Sequence, residues 1–453
     1  MFKLTPIIGK PKSQKHLPPF NWVMFTLLVV CPFLFVPSLL TALLIHGGWL
    51  KYITMFVVTY GLCILSIGVY HRYWTHKSFE FNDTPTAKFI CFLTRLYGVL
   101  AGAFTGQGDA ISWILRHWLH HLNEDIPGKD HHTPNEYKST LKGFIWSHVG
   151  WLCYIKIGEF DYENHSASKR AELEKDPLLV WQNKNYLALY IICAAVFPVL
   201  LGLIISVDFW SFILGQAYNV SEIYWSIGLT FLTINCARMA CQHATFFVNS
   251  ACHIWGKAVY QNHKTGAAKD NWWVAILVFG EGFHSGHHAF GYSYEHGIIH
   301  DGNKSQWRAK LMYVLDIHAR IIDLFDILGL LKYKLKPTSA EAMAVHQKQV
   351  LFSLEAALLE LSEQFYTQKE SLKGQFDAEL RLAKDKITSL TGEHKEALFC
   401  LIEQLEAAIT SFKLKIEALV DEGSPLVKFW QSRQEKAEQD LRLYRAELSA
   451  ISK

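Results

Sequence analysis

The chain has 453 residues and a formal net charge of +3, and 19% of its residues are charged, against roughly 25% in an average soluble domain. The charges are unevenly placed, since 34 of the last 113 residues carry one, against 51 of the first 340. This composition excludes a strongly basic nucleic-acid-binding protein and an acidic disordered chain, and it disfavours a single soluble globule. The nine cysteines form no Cys-x-x-Cys pair, so a disulfide scaffold or zinc ribbon is not predicted.

Long apolar segments predict an integral membrane protein with four spans. Three of the segments carry no charge over 24, 19 and 22 residues and lie at 22–45, 52–70 and 186–207. Each is long enough for a helix across a hydrocarbon core of about 30 Å. A shorter segment predicts a fourth span at about 220–238, between Glu222 and Arg238. Prolines inside the first and third segments are compatible with spanning, because neighbouring helices can satisfy the freed carbonyls. Buried helices of a large soluble protein are the alternative, which three such runs disfavour.

The lysines predict the orientation of these spans. Four lysines precede the first span, whereas the short loop after it carries one and the loop 208–222 carries none. The positive-inside rule therefore predicts a cytoplasmic N-terminus. Four spans return the chain to the same side, so segments 71–185 and 238–453, with the C-terminus, are also predicted to be cytoplasmic. Two further apolar segments are poor candidates for spans. The segment 87–105 is interrupted by charged residues, and the segment 272–279 is too short. We predict interfacial helices at both.

Three histidine clusters stand out in this charge-poor part of the chain. They are HRYWTH at 71–76, HWLHH at 117–121 and HSGHH at 284–288. On a helix, positions i, i+3 and i+4 share one face, so each H-x-x-H-H points three imidazoles the same way. The predicted topology brings all three clusters to one side of the membrane. Eight imidazoles suffice for two metal ions, and His253 can supply a ninth.

The pattern alone leaves the metal open, because imidazole suits zinc, copper, iron and nickel. A soluble four-helix di-iron carboxylate protein is excluded, since its Glu-x-x-His motif occurs only once here, at Glu281 and His284. The alternative of isolated structural histidines applies to six of those outside the clusters, namely His16, His46, His165, His263, His346 and His394. Seven more stay undecided between structural and ligand-supporting roles: His131, His132, His148, His243, His296, His300 and His318. The structural alternative does not account for eight histidines in three patterned groups.

Five strings resemble the membrane-bound fatty acyl desaturases, most closely the stearoyl-CoA desaturase-like branch, over about residues 20–335. They are HRYWTHKSF at 71–79, HWLHH at 117–121, SHVGWL at 147–152, NSACH at 249–253 and DNWW…GEGFHSGHHAF at 270–290. The resemblance implies an all-α integral membrane domain over 1–337, with four transmembrane helices and a cytoplasmic histidine-box di-iron domain. It implies two Fe²⁺ ions, a metal-bound water on Asn249, and these ligands: His71, His76, His117, His120, His121, His253, His284, His287 and His288. Trp118 stands where the family usually has a basic residue.

The implied activity is fatty acyl desaturation, which inserts a cis double bond using dioxygen and two external electrons. The resemblance favours an acyl-CoA substrate, and a carrier-protein or lipid-linked chain remains open. No dinucleotide, iron–sulfur or haem motif occurs in the sequence, so a separate ferredoxin, rubredoxin or haem protein with its reductase is implied as electron donor. A histidine-box hydroxylase or ketolase and a non-catalytic membrane scaffold are the alternatives.

Several residues are candidates for substrate contact. Arg116, Lys142 and Lys257 can meet a phosphate-bearing carrier, although basic residues beside a membrane are common. The candidates for lining an acyl tunnel are aromatic, and ordinary packing is an equal alternative for each: Tyr70, Trp118, Trp146, Trp151, Trp255 and Phe283.

Residues 338–453 predict a different kind of structure. Apolar residues there step by three and four, as at Leu351, Leu354 and Leu358, among many Glu, Lys and Gln. This predicts a C-terminal amphipathic helical, coiled-coil-like extension. Self-association or partner docking is one interpretation of it, and a solvated helical appendage is the other.

Overall fold

The computed structural model describes residues 19–154, 167–260, 268–298, 307–342, 344–346 and 349. The chain divides into two compact units, one of Met1–Ala258 with Asn262–Thr338, and one of Val259–Gln261 with Ser339–Lys453. In the second unit, His346 Nδ1 lies 2.7 Å from the carbonyl oxygen of Val259. Most of the predicted coiled-coil extension lies outside the described residues.

The first unit is mostly helical, as expected. Its helices are α1 (Trp22–His46), α2 (Trp49–Thr75), α3 (Pro85–Thr105), α4 (Ala110–Leu122), α5 (Thr140–Ile145), α6 (Ala167–Leu173), α7 (Pro177–Ile204), α8 (Val207–Ile213), α9 (Val220–Ile254), α10 (Trp272–Leu277), α11 (His284–Ala289), α12 (Trp307–Leu315) and α13 (Ile317–Ile327). Four segments adopt π-helical geometry, and they lie at Thr26–Val30, Val69–Thr75, Trp146–Gly150 and Ile192–Val196.

Four of these helices are long and apolar enough to cross a membrane by length and composition, namely α1, α2, α3 and α7. Three of them contain most or all of the predicted spans 22–45, 52–70 and 186–207. The fourth differs from the prediction, because it is α3 rather than the segment 220–238. That segment is the first half of the 35-residue helix α9, in which Asn235, Arg238 and Gln242 lower the mean hydropathy, whereas α3 contains only Lys88 and Arg95 as charged residues.

Helices α2 and α9 run side by side in the same direction. At their N-terminal ends, Tyr52 packs near Leu229, and further along Cys63 packs near Cys241. His46, just before α2, is 2.8 Å from the Glu222 carboxylate at the start of α9. Both helices therefore begin at one end of the unit and carry their C-terminal histidines to the other end.

Helix α9 also supplies polar groups to two proline-containing helices. Pro32 has no N–H, so the carbonyl of Leu28, four residues earlier, loses its helical donor, and His243 Nε2 lies 3.0 Å from that oxygen. Pro198 frees the carbonyl of Ala194 in the same way, and Asn235 Nδ2 donates to it at 2.9 Å. A π-helical segment accompanies each proline. The neighbouring helix thus satisfies both carbonyls, as expected for proline in spanning helices.

A short antiparallel strand pair joins distant parts of the unit. Strand β1 (Phe79–Phe81) follows the first histidine cluster, and β2 (Leu331–Lys334) follows α13. Phe79 pairs with Lys334 and Phe81 with Leu331. The two phenylalanines are buried in a cluster with α13 residues, so the chain after the first histidine cluster is held by the last part of the unit.

Candidate metal centre

Four elements carry the nine predicted histidine ligands to one place. The π-helical end of α2 holds His71, and His76 follows it. Helix α4, capped at its N-terminus by the Asp109 side chain, presents its three histidines from its last turns. His253 lies one residue before the end of α9, and α11 carries the last three. Single-turn π-helical distortions are frequent at functional sites, and the one at the end of α2 contains His71.

The nine histidines separate into two sets with converging ring nitrogens. The first set is His71, His76, His117, His121 and His287, and the second is His120, His253, His284 and His288. Within each set, the ligand atoms lie within 4.8 Å of one another. The prediction that the three clusters and His253 converge agrees with this geometry.

Distances between Nε2 atoms define the five-histidine site. His71 Nε2 is 2.8 Å from that of His117 and 3.1 Å from that of His287. His121 Nε2 lies 3.0 Å from His117 and 2.8 Å from His287. His76 Nε2 is 3.1 Å from His117.

The four-histidine site has the same spacing. His288 Nε2 lies 3.2 Å from His120 and 3.0 Å from His284, and His284 is 3.1 Å from His253. Metal–imidazole bonds of about 2.1 Å at right angles bring two ligand nitrogens to about 3.0 Å of each other. Both sets therefore fit a metal ion bound through Nε2.

Carboxylates lie beside the outer nitrogen of four of these histidines. The Nδ1 atoms of His71, His120, His253 and His288 lie 2.6, 2.8, 3.0 and 3.1 Å from Glu281, Asp130, Asp125 and Glu124, respectively. Three of these contacts, those of His71, His120 and His253, are hydrogen bonds. A carboxylate only accepts, so Nδ1 carries the hydrogen, and in the neutral ring Nε2 presents its lone pair inward. This is the arrangement that orients histidine ligands in metal sites.

Burial and mutual proximity keep most of these imidazoles neutral. Burial, with the neighbouring histidines, lowers the pKa of His76, His117, His121, His284, His287 and His288 well below its usual range. His253 differs. Burial alone would lower its pKa, but Asp125, with Glu124 and Asp130, raises it to about 9. Although burial opposes ionisation of Glu281, the Arg72 guanidinium holds the pKa of that carboxyl well below its usual range.

A cavity of about 60 Å³ lies beside the five-histidine site. Its lining includes His117, Asn249, Arg116 and Trp151. The structure thus brings the predicted water-binding asparagine and two predicted substrate contacts to one cavity at the metal ligands. Water bound there would have polar partners, as a buried water needs.

The other predicted substrate contacts lie elsewhere among the described residues. Trp255, with 48% of its surface exposed, contacts the ring of Phe144 at a tilted angle, and Lys142 and Lys257 are exposed. Trp118 is half-buried on α4. Three aromatic residues are fully buried in packing roles: Trp146 in an apolar cluster, Phe283 against Trp272, and Tyr70, whose hydroxyl accepts from Gln182.

The sequence did not identify the carboxylates as partners of the ligands, and it left two histidines beside the sites, His132 and His296, undecided between structural and ligand-supporting roles. His296 is 1% exposed, its Nδ1 is 3.0 Å from Glu281, and its ring centroid is 4.4 Å from that of His287. His132 packs 4.3 Å from the His120 ring. Glu124 and Asp125 lie three and four residues after His121 of the second cluster, and this proximity was an available signal. Glu281 and His296 meet His71 only through the tertiary fold.

Comparison with known proteins agrees with this geometry. The fatty acid desaturase family model matches residues 47–314, and the chain belongs to this family of membrane fatty acyl desaturases, which are oxygen-dependent oxidoreductases. The chain is 31% identical to the sn-1 stearoyl-lipid 9-desaturase of Anabaena variabilis, over 69% of this chain and 93% of the relative. It is 28% identical to the enzyme of the same name from Synechocystis, over 75% and 88%. It is 30% identical to the palmitoyl-monogalactosyldiacylglycerol delta-7 desaturase of Arabidopsis thaliana, over 53% and 54%.

Proposed function

We propose that this protein is a di-iron desaturase that introduces a cis double bond into a saturated fatty acyl chain. The observation that carries the proposal is the convergence of nine imidazoles into two sets, with four of their outer nitrogens on buried carboxylates. An unactivated methylene has no acidic hydrogen, so side-chain acid–base chemistry does not account for the reaction. The nine histidines would hold two iron ions, which supply the oxidising chemistry with dioxygen and external electrons.

The chain's own residues position the reaction and exclude water. Asn249 faces the cavity at the metal ligands together with His117 and Trp151, and we propose that it holds a water there. The rings of Trp113 and Trp151 line the same cavity, and this apolar surface suits an acyl chain. Holding two methylenes at a fixed position beside the metal centre is the main contribution the protein can make.

Histidine contacts also support the predicted four-span topology. His76 and His117 have Nε2 atoms 3.1 Å apart, so the chain between them crosses a membrane an even number of times. Helix α3 is the one candidate span between them, which supports an interfacial location for it. The rings of His120 and His253 are 5.0 Å apart, so a crossing by α7 requires a second one. Helix α9 supplies it, because it runs alongside α2.

The acyl carrier is the point on which sequence resemblance and named relatives differ. The resemblance favours an acyl-CoA substrate, whereas the relatives from Anabaena variabilis and Synechocystis are named as acyl-lipid desaturases. Assays of the purified chain with stearoyl-CoA and with stearoyl-phospholipid vesicles, each with a ferredoxin and its reductase, distinguish the two. Product on one substrate and not on the other identifies the carrier.

Expression in a desaturase-deficient host tests the proposed reaction. We expect new monounsaturated acyl chains, with the double bond located by mass spectrometry, and loss of them in His120→Ala and His287→Ala. His46→Ala, which alters the pair with Glu222 away from the site, is the matched control and keeps activity. Hydroxylated chains without new double bonds would favour the hydroxylase alternative, and unchanged lipids would favour the scaffold.

A further inference from the structure

Arg72 lies next to the ligand His71 in sequence, but its side chain points away from the ligand nitrogens. It is 1% exposed. Its Nε donates to Glu281 Oε1 at 3.0 Å, and one terminal nitrogen lies 3.0 Å from the same oxygen. The other terminal nitrogen donates to the carbonyl oxygen of Tyr294. The planar guanidinium is therefore held by acceptors from two segments of the chain, Glu281 and Tyr294.

Glu281 divides its two oxygens between different groups. Oε1 faces Arg72 and lies 3.2 Å from His318 Nδ1. Oε2 lies 2.6 Å from His71 Nδ1 and 3.0 Å from His296 Nδ1. Arg72 Nε donates to Oε1, and one terminal nitrogen lies within ion-pair distance of the same oxygen. Rotation of the carboxylate away from His71 would therefore break that hydrogen bond and separate the ion pair. Arginine is suited to this, since its donors form a rigid fork.

Arg72 is itself fixed from α13. Asp316, at the N-cap of that helix and also 1% exposed, lies 2.8 Å from the Arg72 guanidinium. Its other oxygen accepts from the backbone of His296 at 2.7 Å. His318 in the first turn of α13 packs against Gly68, where a Cβ would come within 2.2 Å of the ring. The start of α13 thus clamps the π-helical turn that carries Arg72 and His71.

We propose that Arg72 is a positioning residue for the five-histidine site, acting through Glu281 on the orientation of His71. The inference rests on the proposed function only in assuming that the two histidine sets bind metal. The effect should be selective, because the four-histidine site is oriented by other carboxylates, those of Asp130, Asp125 and Glu124.

Titration of the full-length, metal-stripped chain with Co²⁺ alone tests this selectivity. We expect the wild type to bind two Co²⁺ ions. In Arg72→Gln, the affinity of one site should fall roughly 10- to 100-fold, as for other residues that orient metal ligands, while the other site keeps its affinity. Arg320→Gln is the matched control, since Arg320 also pairs with two carboxylates, Glu295 and Asp323, and it should bind both ions unchanged.

A double-mutant cycle tests whether Arg72 acts through Glu281. Glu281→Gln should weaken the same site, and adding Arg72→Gln to it should change the affinity little further. If Arg72→Gln does not fold, Arg72→Lys replaces it in the cycle. Lysine keeps the positive charge but lacks the paired guanidinium donors, so the same loss of Co²⁺ affinity at one site is expected. Two unchanged sites, equal weakening of both, or additive losses would overturn the proposal. A wild type that binds fewer than two Co²⁺ would instead overturn the proposed metal centre, and this inference with it.

Discussion

The Nε2 atom of His243 lies 3.0 Å from the carbonyl oxygen of Leu28, the oxygen that Pro32 deprives of its helical donor. A carbonyl only accepts, so Nε2 carries the hydrogen and Nδ1 is left to accept from His148 Nε2 at 3.1 Å. His148 Nδ1 is in turn 3.0 Å from Ser250 Oγ. Two imidazoles therefore connect the proline-containing part of α1 with the segment of α9 that carries Asn249 and His253.

Replacing His243 by Phe should destabilise the protein through the freed carbonyl. The change leaves the Leu28 oxygen without its donor, at a cost of about 1–2 kcal/mol. Thermal unfolding of the detergent-solubilised chain measures the effect. In a Pro32→Ala background, residue 32 regains an N–H, so His243→Phe should cost less there. An equal cost in both backgrounds would show that His243 acts through packing alone.

The topology gives a prediction about single exposed positions. Asp83 precedes α3 and Lys129 follows α4, and both are exposed, as is Gln216 between α8 and α9. We expect Asp83→Cys and Lys129→Cys to be protected from a membrane-impermeant maleimide in intact cells and to react after lysis. Gln216→Cys should react in both conditions. Maleimide labelling of the wild type, which has only its native cysteines, gives the background signal to be subtracted. Opposite labelling of positions 83 and 129 would mean that α3 crosses the membrane.

Asp130 should support the four-histidine site and not the five-histidine site. Its carboxylate accepts from His120 Nδ1 at 2.8 Å and from the backbone of Asp125 at 3.1 Å. Asp130→Asn keeps the size but removes the charge, and we expect a roughly 10- to 100-fold lower affinity of one metal site, measured by Co²⁺ titration. Glu174→Gln, at an exposed position directly after α6, is the control. Weakening of both sites would indicate a general loss of structure.

Metal binding should release a proton from His253. Its pKa of about 9 means that it is mostly protonated at pH 8, whereas a metal ligand must be neutral. Asp125→Asn removes the carboxylate that raises this pKa, so it should return towards the ordinary value of about 6.5. We therefore expect the variant to release about one proton fewer per chain at pH 8. Calorimetry in buffers of different ionisation enthalpy measures the difference, which should vanish above about pH 10. An unchanged proton count at pH 8 would contradict the role of Asp125.

Helical spacing predicts that His117, His120 and His121 share a face, and the structure places each of them in one of the two converging histidine sets. The sequence predicts less about what surrounds them. Glu281 reaches His71 across 210 residues, and no local pattern indicates that contact. The span at 220–238 is difficult to predict from the sequence for a different reason. It continues without a break to Ile254. The same helix therefore carries the apolar segment, the polar residues that contact carbonyls freed by proline, and one predicted metal ligand.

The pairing of β1 with β2 has a practical consequence for anyone shortening this protein. The family match ends at residue 314, which suggests a convenient place to cut. A chain cut there would lose Asp316, His318 and the whole of β2, and it would expose Phe79 and Phe81 immediately beyond the first histidine cluster. The smallest fragment worth purifying therefore extends at least to Leu335, whose backbone donates to the Ser78 carbonyl at 2.8 Å.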